Sequence, residues 1–228
     1  MADKQADSFT RAKTALASIN GRVEKARRRF GAPPDHVQLV AVSKTFDAGQ
    51  IEPFLAAGQR VFGENRVQEA KDKWPDLRER YPDLELHLIG PLQTNKAREA
   101  VALFDVIQSV DRDKLAGVLA SEMERAGKRL PCFVQVNIGG ETQKAGIPID
   151  EAVAFVERCR SEHGLDIVGL MCIPPDGVPA GPYFAQLAAL ARTAGVTGIS
   201  MGMSGDFETA IAMGATHVRV GSALFGKR

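Results

Sequence analysis

The sequence predicts a (β/α)₈ barrel with one additional N-terminal helix, because eight short apolar segments alternate with longer helical patterns along its 228 residues. Most of these segments are rich in β-branched residues and are flanked by Gly or Asn, which is typical of strands. The predicted strands are residues 37–43, 60–63, 84–90, 105–109, 131–137, 165–171, 198–202 and 216–221. An open doubly wound sheet would give the same alternation, so strand count alone leaves that alternative open.

The first element is an amphipathic helix, because apolar residues recur at three- and four-residue steps from Ala12 to Phe30. Its opposite face carries a basic cluster made of Arg22, Lys25, Arg27, Arg28 and Arg29. That cluster is interpreted as a solvated helix face, with attraction of an anionic partner as the alternative. Residues 1–35 form this helix and its connector, and residues 36–226 form the barrel. Because no Pro/Ser-rich linker divides the chain, residues 1–228 are expected to be a single domain.

Helices are also predicted between the strands, for example at residues 111–126, 150–162 and 207–213. Asp111 and Asp150 stand at the start of the first two, where an aspartate side chain can accept from free backbone N–H groups. Gly214 follows the third helix, which is the usual position of a terminating glycine.

The composition favours a small-molecule function. The 29 basic and 28 acidic residues give a formal net charge of +1, so no overall field attracts nucleic acid or a membrane surface. The three cysteines have no paired spacing, which indicates neither a disulfide framework nor a metal site. We expect a reducing, cytoplasmic setting, since the N-terminus lacks an apolar signal region and no segment has the apolar length of a membrane span.

Lys44 is the first candidate site residue, because it directly follows the first predicted strand, and barrels of this kind build their sites at the strand C-termini. A lysine there can lose hydration and become a nucleophilic amine that forms a Schiff base with an aldehyde. The alternative is a solvated lysine at a strand end. Asn65 follows the second strand and has capping-box spacing to Gln68, so a helix cap and a ligand contact both stay open.

Two pairs of small residues follow the last two strands, the position at which such barrels often bind a phosphate. They are Ser204–Gly205 and Gly221–Ser222. Glycine lets the backbone approach an anion closely, and the serine hydroxyl adds a donor. Ser204 or Asp206 taken alone would be interpreted as a helix N-cap, but the two pairs together favour a phosphate site.

Arg219 interrupts an apolar strand, and alternation places it on the face opposite Val218 and Val220, inside the barrel. A buried guanidinium needs a partner, which would be a ring nitrogen, a carboxylate or a phosphate, with an interior salt bridge as the ligand-free alternative. His87, within the third strand, is interpreted as a satisfied core residue. Lys144 is interpreted as a solvated loop lysine, with guidance of an anionic ligand as the alternative.

Several other activities lack support. The sequence has no Gly-x-Gly-x-x-Gly after the first strand, no nucleotide-binding P-loop, no His-Glu-x-x-His and no Gly-x-Ser-x-Gly. Nucleotide transfer, zinc proteolysis and serine hydrolysis are therefore not indicated, and no metal is expected.

Six segments, read together, resemble one known family, the YggS/PROSC pyridoxal phosphate homeostasis proteins. The resemblance runs in order from about Val37 to Gly226. Its segments are AVSKT at 41–45, FGENRVQE at 62–69, HLIGPLQTNK at 87–96, GLM at 169–171, SMGMS at 200–204 and VRVGSALFG at 218–226. The sequence departs from the family at Gly205, where an acidic residue is common, and at Ser222, which replaces a common threonine.

The resemblance implies a single barrel similar to the N-terminal domain of alanine racemase, binding pyridoxal 5′-phosphate as an internal aldimine on Lys44. It also implies that Asn65 lies near the cofactor and that Arg219 faces the pyridine nitrogen. The residues implied for the phosphate are Ser204, Gly205, Gly221 and Ser222.

The expected function is a non-catalytic carrier that holds the cofactor and delivers it, with transient contact with apo-enzymes, as a monomer or weak dimer. An arginine at the ring nitrogen makes the ring a weak electron sink. The second base of related racemases comes from a β domain after the barrel, whereas this sequence ends at Arg228. A pyridoxal-dependent amino-acid racemase with an unidentified second base, reached through His87, and an aldolase using Lys44 with a phosphorylated sugar are the alternatives.

Overall fold

Eight parallel strands close into a barrel in sequence order. The structure is a computed structural model that describes residues 2–29 and 36–226, without the side chains of residues 2–5. The strands are β1 Gln38–Val42, β2 Val61–Glu64, β3 Glu85–Leu88, β4 Val106–Val110, β5 Cys132–Val136, β6 Ile167–Cys172, β7 Gly198–Ser200 and β8 His217–Val220. The pairing of β1 with β8, from Gln38 opposite His217 to Ala41 opposite Val220, closes the ring. The predicted barrel is confirmed, and the open sheet is excluded.

The helices surround the barrel. They are α1 Ala2–Arg29, α2 Ala48–Ala56, α3 Val67–Arg80, α4 Ala97–Leu103, α5 Asp113–Ala126, α6 Ala152–Ser161, α7 Gly181–Thr193, α8 Phe207–Ala212 and α9 Ser222–Phe225. Short 3₁₀ helices, Thr94–Lys96 and Ile149–Glu151, precede α4 and α6. The helix α1 packs against α2, α8 and α9. Its predicted apolar stripe is confirmed, since Ala12, Leu16, Ile19, Val23 and Ala26 are buried.

The basic face of α1 is less free than expected, because Arg22 makes a bidentate pair with Glu208 of α8, with both N···O distances at 2.9 Å. Arg22 also lies over the ring of Phe207, at 4.6 Å from its centroid. This arginine therefore docks α1 on the barrel. The predicted connector, residues 30–35, and the Phe30 end of the predicted helix lie outside the described residues.

Two predicted helix caps are wrong. The helix α5 begins at Asp113 with Arg112 at the N-cap, because β4 continues to Val110 and Asp111 pairs with Arg112. Asp150 lies inside the 3₁₀ helix that follows Pro148, so the α-helical hydrogen bonds start only at Ala152. The strand β4 extends further than predicted, and a 3₁₀ helix that was not predicted precedes α6, so in both places the α-helix begins two residues later than expected.

The core has two layers. The larger layer lies between strands and helices, and a small cluster of Val106, Phe133 and Met171 lies inside the barrel. A Cβ on Gly169 or Gly198 would collide with the ring of Phe133, so these glycines give that ring its space. Within the described residues, no helix is long and apolar enough to cross a membrane.

The three cysteines are free and buried at Cys132, Cys159 and Cys172. Burial raises the pKa of Cys159 and Cys172 to about 12, which suppresses thiolate formation. Among the residues described, no group of three or more His, Cys, Asp or Glu side chains is arranged to hold a metal ion.

Candidate cofactor site

A cavity of about 510 Å³ opens at the C-terminal ends of the strands. The barrel topology places the ends of β1, β2, β7 and β8 around one mouth, which is why residues distant in sequence meet there. All seven residues predicted for the site line this cavity, namely Lys44, Asn65, Ser204, Gly205, Arg219, Gly221 and Ser222. Apolar side chains complete the wall, including Val42, Phe46, Ile89, Ile173 and Met203.

Lys44 stands on a tight turn just after β1. The turn is closed by the N–H of Phe46, which donates to the carbonyl of Ser43 at 3.1 Å. Thr45 has φ of +68°, a left-handed conformation that is unfavourable for a β-branched residue. Its N–H donates to Glu69 of α3, which holds the turn in this conformation. Lys44 is partly buried, and its ammonium group has no hydrogen bond or ion pair with the described part of the chain.

A second lysine, Lys73 of α3, lies buried beneath this turn. Its ammonium donates to the carbonyl oxygens of Ser43 at 2.9 Å and Phe46 at 3.0 Å. It also pairs with Glu64 at 2.8 Å and Glu69 at 3.0 Å. Lys73 therefore supports both ends of the turn that presents Lys44.

Glu64, the last residue of β2, is completely buried beside this lysine. Its Oε1 also accepts from the Ser43 hydroxyl at 2.7 Å and the Trp74 indole N–H at 3.0 Å. Its Oε2 has no hydrogen-bond partner among the described residues. Burial raises the pKa of Glu64 despite the opposing attraction of Lys73.

Asn65 is not a helix cap, so the predicted capping box is wrong. The N-cap of α3 is Arg66, and Gln68 bonds to Asp72 one turn further along the helix. The backbone of Asn65 lies against Gly90, where any Cβ would collide with it. The Asn65 amide makes no hydrogen bond within the described residues, and it lines the cavity.

The two loops predicted to bind phosphate meet at one oxygen atom. The Ser204 hydroxyl accepts from the N–H groups of Gly221 at 3.2 Å and Ala223 at 3.3 Å. The N-cap of α8 is Asp206, whose carboxylate accepts from the Met203 N–H at 2.6 Å and bonds to no helix N–H. The N-cap alternative for Ser204 is therefore wrong. Two backbone donors and a hydroxyl converge here, as an anionic oxygen requires.

Arg219 points into the barrel as alternation predicts, and it is only 4% exposed. Its Nη1 donates to the Ser200 hydroxyl at 2.7 Å, and its Nη2 donates to the carbonyl of Cys172 at 2.8 Å. Both partners are neutral, and no described carboxylate pairs with it, so the interior salt bridge is excluded. Burial lowers the pKa of Arg219, against a smaller opposing influence of Asp206. Guanidinium carries five N–H donors, so two partners leave donors for the cavity.

His87 and Lys144 lie outside this cavity lining. The interpretation of His87 as a satisfied core residue is confirmed, since its ring nitrogens contact Glu85 at 2.5 Å and Gln108 at 2.6 Å. Lys144 lies in a loop and is partly solvated, with 30% of its side chain exposed, but it is more constrained than expected. Its ammonium pairs with Glu141 at 2.7 Å and donates to the Pro174 carbonyl at 3.1 Å, which ties the loops after β5 and β6 together.

Sequence reasoning did not single out the polar residues beneath the site. Signals for them exist: Glu69 and Lys73 have the four-residue spacing of a helical ion pair, and Gln108 and Ser200 are polar residues inside apolar strands. Which partners they meet depends on the closed barrel, and no local pattern carries that information.

The chain belongs to the family defined by the N-terminal domain of alanine racemase, whose model matches residues 15–228. Its relatives include proteins named pyridoxal phosphate homeostasis protein. The one from Vibrio cholerae is 40% identical over 226 residues, covering 93% of this chain and 94% of the relative. The human one is 37% identical over 235 residues, covering 94% and 86%.

Solved structures agree. PipY of Synechococcus elongatus, solved without pyridoxal phosphate, has a TM-score of 0.82 at 41% identity, covering 94% of this chain and 99% of PipY. PipY with pyridoxal phosphate bound has a TM-score of 0.81 at 40% identity, covering 94% and 100%. D-threonine aldolase from Filomicrobium marinum, at 19% identity and a TM-score of 0.71, covers 96% of this chain and 60% of the aldolase, and shares the fold.

Proposed function

We propose that this protein binds pyridoxal 5′-phosphate, holds it covalently through Lys44 and delivers it, without catalytic turnover of its own. The observation that carries the proposal is the convergence of three groups in one cavity of about 510 Å³. They are an amine, a cluster of anion donors and a buried guanidinium. These groups match the aldehyde, the phosphate and the ring nitrogen of the cofactor. The names of the relatives and the PipY structure with pyridoxal phosphate support the same ligand.

The chemistry of the donors fits each part of this ligand. Lys44 has no partner in the described residues that would compete with an aldehyde for its amine. The N–H groups that now bind the Ser204 hydroxyl suit a phosphate oxygen, with the hydroxyl as an additional donor. Gly205 and Ser222 lie on the same loops, and Asn65 adds an unpaired amide to the wall.

Arg219 favours holding the cofactor over using it. When bound, pyridoxal phosphate supplies an aldehyde and a ring that withdraws electrons most strongly when its nitrogen is protonated. A guanidinium donates hydrogen bonds and cannot accept a proton, so it stabilises the unprotonated nitrogen. The ring in this site is therefore a weak electron sink.

The racemase alternative also loses its candidate second base. That alternative relied on His87, which is only 1% exposed and is enclosed between Glu85 and Gln108 inside the barrel. Among the described residues that line the cavity, Lys44 is the one side chain suited to act as a base. A single base supports binding better than two-sided proton transfer.

Trapping of the adduct tests the proposal. We expect the purified protein incubated with pyridoxal phosphate to be yellow, to lose its colour with hydroxylamine, and to carry the borohydride-reduced adduct on Lys44 in a mass spectrum. Lys44→Ala should lose both signals. Lys144→Ala is the matched control and should retain both. An unmodified Lys44 after reduction of the wild-type protein would disprove the site, and a colourless protein would favour the aldolase alternative.

Exchange at the α-carbon separates carrier from enzyme. With L-amino acids in D₂O, the loaded protein should give no α-deuterium incorporation above that of free pyridoxal phosphate. Incorporation at enzymatic rates that Lys44→Ala abolishes would overturn the non-catalytic part of the proposal and leave cofactor binding in place.

We further propose that residues 1–228 form one domain that acts in the cytoplasm as a monomer or weak dimer and contacts apo-enzymes transiently. The buried free cysteines are compatible with a reducing compartment. Delivery predicts that the loaded protein reactivates an apo-aminotransferase in the presence of an aldehyde scavenger that blocks reactivation by free cofactor. Equal inhibition of both sources would contradict delivery, and light scattering after size exclusion measures the oligomeric state.

A further inference from the structure

A chain of four side-chain hydrogen bonds crosses the barrel interior and ends at Arg219. Arg219 Nη1 contacts Ser200 Oγ at 2.7 Å, and Ser200 Oγ contacts Gln108 Oε1 at 2.6 Å. Gln108 Nε2 then contacts His87 Nδ1 at 2.6 Å, and His87 Nε2 contacts Glu85 Oε1 at 2.5 Å. Arg219 lines the cofactor cavity, whereas the four other members of the chain do not.

The two ends set the direction of every bond in this chain. The Arg219 guanidinium can only donate, so Ser200 accepts from it and has its hydroxyl hydrogen left for Gln108. The Gln108 oxygen accepts that hydrogen, so its amide nitrogen donates to His87 Nδ1. His87 then carries its hydrogen on Nε2 and donates to Glu85, whose carboxylate can only accept. In all four bonds the donor therefore lies on the Arg219 side, and this is the one set of donors and acceptors that satisfies every member.

The barrel makes this chain possible. Glu85 and His87 are two residues apart on β3 and share one face, whereas Gln108 lies on β4 and Ser200 on β7. Since β4 and β7 are not neighbours in the sheet, the Gln108–Ser200 bond spans the interior. The chain thus ties Arg219 to strands on the opposite side of the barrel.

The consequence is a cation that is held in place but not neutralised by a direct partner. The carboxylate at the far end is about half exposed, with 47% of the Glu85 side chain accessible. Its hydrogen bond with His87 lowers the pKa of Glu85, which keeps it ionised as an acceptor. A carboxylate bound directly to the guanidinium would have occupied the donors that the cavity receives.

We propose that Ser200, Gln108, His87 and Glu85 are positioning residues that aim the Arg219 guanidinium at the ring nitrogen of the cofactor. This inference rests on the proposed function, because it requires that nitrogen to be the ligand of Arg219. Without the chain, the Cys172 carbonyl on Nη2 is the one described partner left, and the guanidinium can turn about it away from the ring nitrogen. Recognition of that nitrogen should then be lost, with the phosphate site intact.

The test compares pyridoxal phosphate with 1-deazapyridoxal phosphate, in which a C–H group replaces the ring nitrogen. The wild-type protein should bind pyridoxal phosphate about tenfold or more tightly than the deaza analogue, as expected for one hydrogen bond from a charged donor. Ser200→Ala and Gln108→Leu should bring this ratio close to one. Inorganic phosphate, as a competitor, should keep the same affinity for all variants.

The matched controls are Ser109, the neighbour of Gln108 on β4, and Gln135 on β5. Ser109→Ala removes a buried hydroxyl that has no partner among the described residues. Gln135→Leu removes a buried amide that bonds to the Ala145 carbonyl and takes no part in the series of hydrogen bonds. Both should retain the wild-type ratio. Ser200→Thr keeps the hydroxyl and should also retain it, which a purely structural role for position 200 would not predict.

If Gln108→Leu fails to fold, Glu85→Ala removes the terminal acceptor at a half-exposed position and should still lower the ratio. A wild-type ratio in folded Ser200→Ala would overturn the inference. This failure is distinct from failure of the proposed function, in which the wild-type protein itself would show no Lys44 adduct. A reduced ratio in Ser109→Ala as well would equally overturn it, since the effect would then not belong to the chain.

Discussion

The protein contains two buried cations near one cavity, and they are held in opposite ways. Lys73 sits between β2 and α3 with direct carboxylate partners, Glu64 at 2.8 Å and Glu69 at 3.0 Å. Arg219 sits inside the barrel with neutral partners, and its nearest carboxylate in the chain of hydrogen bonds is Glu85, four bonds away. In the first arrangement the ion pairs neutralise the charge and stabilise the fold. In the second the charge stays available to a ligand.

The difference follows from what each cation supports. Lys73 satisfies the turn carbonyls of Ser43 and Phe46, so it positions Lys44 from below. Arg219 faces the cavity itself. Removing one partner of a buried ion pair leaves the other charge buried and unpaired, which is strongly destabilising. Removing Arg219 relieves the burial of a charge and leaves only two neutral acceptors, Ser200 and the Cys172 carbonyl, without their donor. The two cations should therefore respond unequally to substitution.

The largest effect is expected for Lys73→Met. It leaves Glu64 buried without its cation, and it should lower the free energy of unfolding by about 3–5 kcal/mol at pH 7 in urea denaturation. The control Lys71→Met breaks the more exposed pair with Glu99 and should cost much less, because solvent screens exposed ion pairs. Equal losses in the two variants would contradict the assignment of Lys73 as a buried support.

The pH dependence of that variant sharpens the same prediction. The pKa of Glu64 is already raised by burial, and loss of Lys73 removes an attraction that opposes the rise. When the pKa of a carboxyl group is higher in the folded than in the unfolded state, the folded protein loses stability as pH rises. The cost of Lys73→Met should therefore be greater at pH 7 than at pH 5.

The next effect concerns His217, a titratable side chain inside the barrel. Burial, followed by the nearby His87, lowers the pKa of His217 to about 4. As pH falls from about 6.5 to about 4, the unfolded chain gains a proton that folded His217 does not, so stability should fall by roughly 3 kcal/mol. His217→Gln should flatten this fall in urea denaturation series, with little change at pH 7. An unchanged acid slope would contradict it.

Arg219→Met should have a small effect on folding and a large effect on the ligand. We expect the free energy of unfolding to change by no more than about 1–2 kcal/mol, because relief of a buried charge offsets the lost hydrogen bonds to Ser200 and the Cys172 carbonyl. The affinity for pyridoxal phosphate should fall at least about tenfold. A loss of stability as large as that of Lys73→Met would break the contrast between the two cations.

The smallest effect is expected at the turn above Lys73. Thr45→Gly relieves a left-handed conformation that costs roughly 1–2 kcal/mol, offset by about 0.4–1 kcal/mol of added unfolded-state freedom. The net gain should be about 0.5 kcal/mol in thermal or urea unfolding. Thr142→Gly, an exposed loop threonine without a positive φ, should lose stability. A gain in both variants would refute the strain at Thr45.

Local signals were sufficient for the strands and for most of the site. The predicted strand at 37–43 is observed as Gln38–Val42, and the one at 131–137 as Cys132–Val136. The residues after β1, β2, β7 and β8 were predicted as a site because parallel strands of a barrel end at one mouth. The trapping and binding experiments test their roles toward the cofactor.

Helix starts and polar partners were less predictable. Asp111 and Asn65 have suitable chemistry for capping, yet Arg112 and Arg66 occupy the N-cap positions, because the ends of the preceding strands decide where each helix can begin. Lys144 has the composition of a solvated loop residue, but the loop after β6 supplies the Pro174 carbonyl across space.

The sequence by itself determined the alternation of strands and helices, the lysine after the first strand and the small residues after the last two, since periodicity and strand order are local properties. Closure of the barrel decided the rest. It brought Ser200 of β7 to Gln108 of β4 and placed Lys73 under the turn of Lys44. These contacts join residues far apart in the chain, so they exist only when every strand has its register.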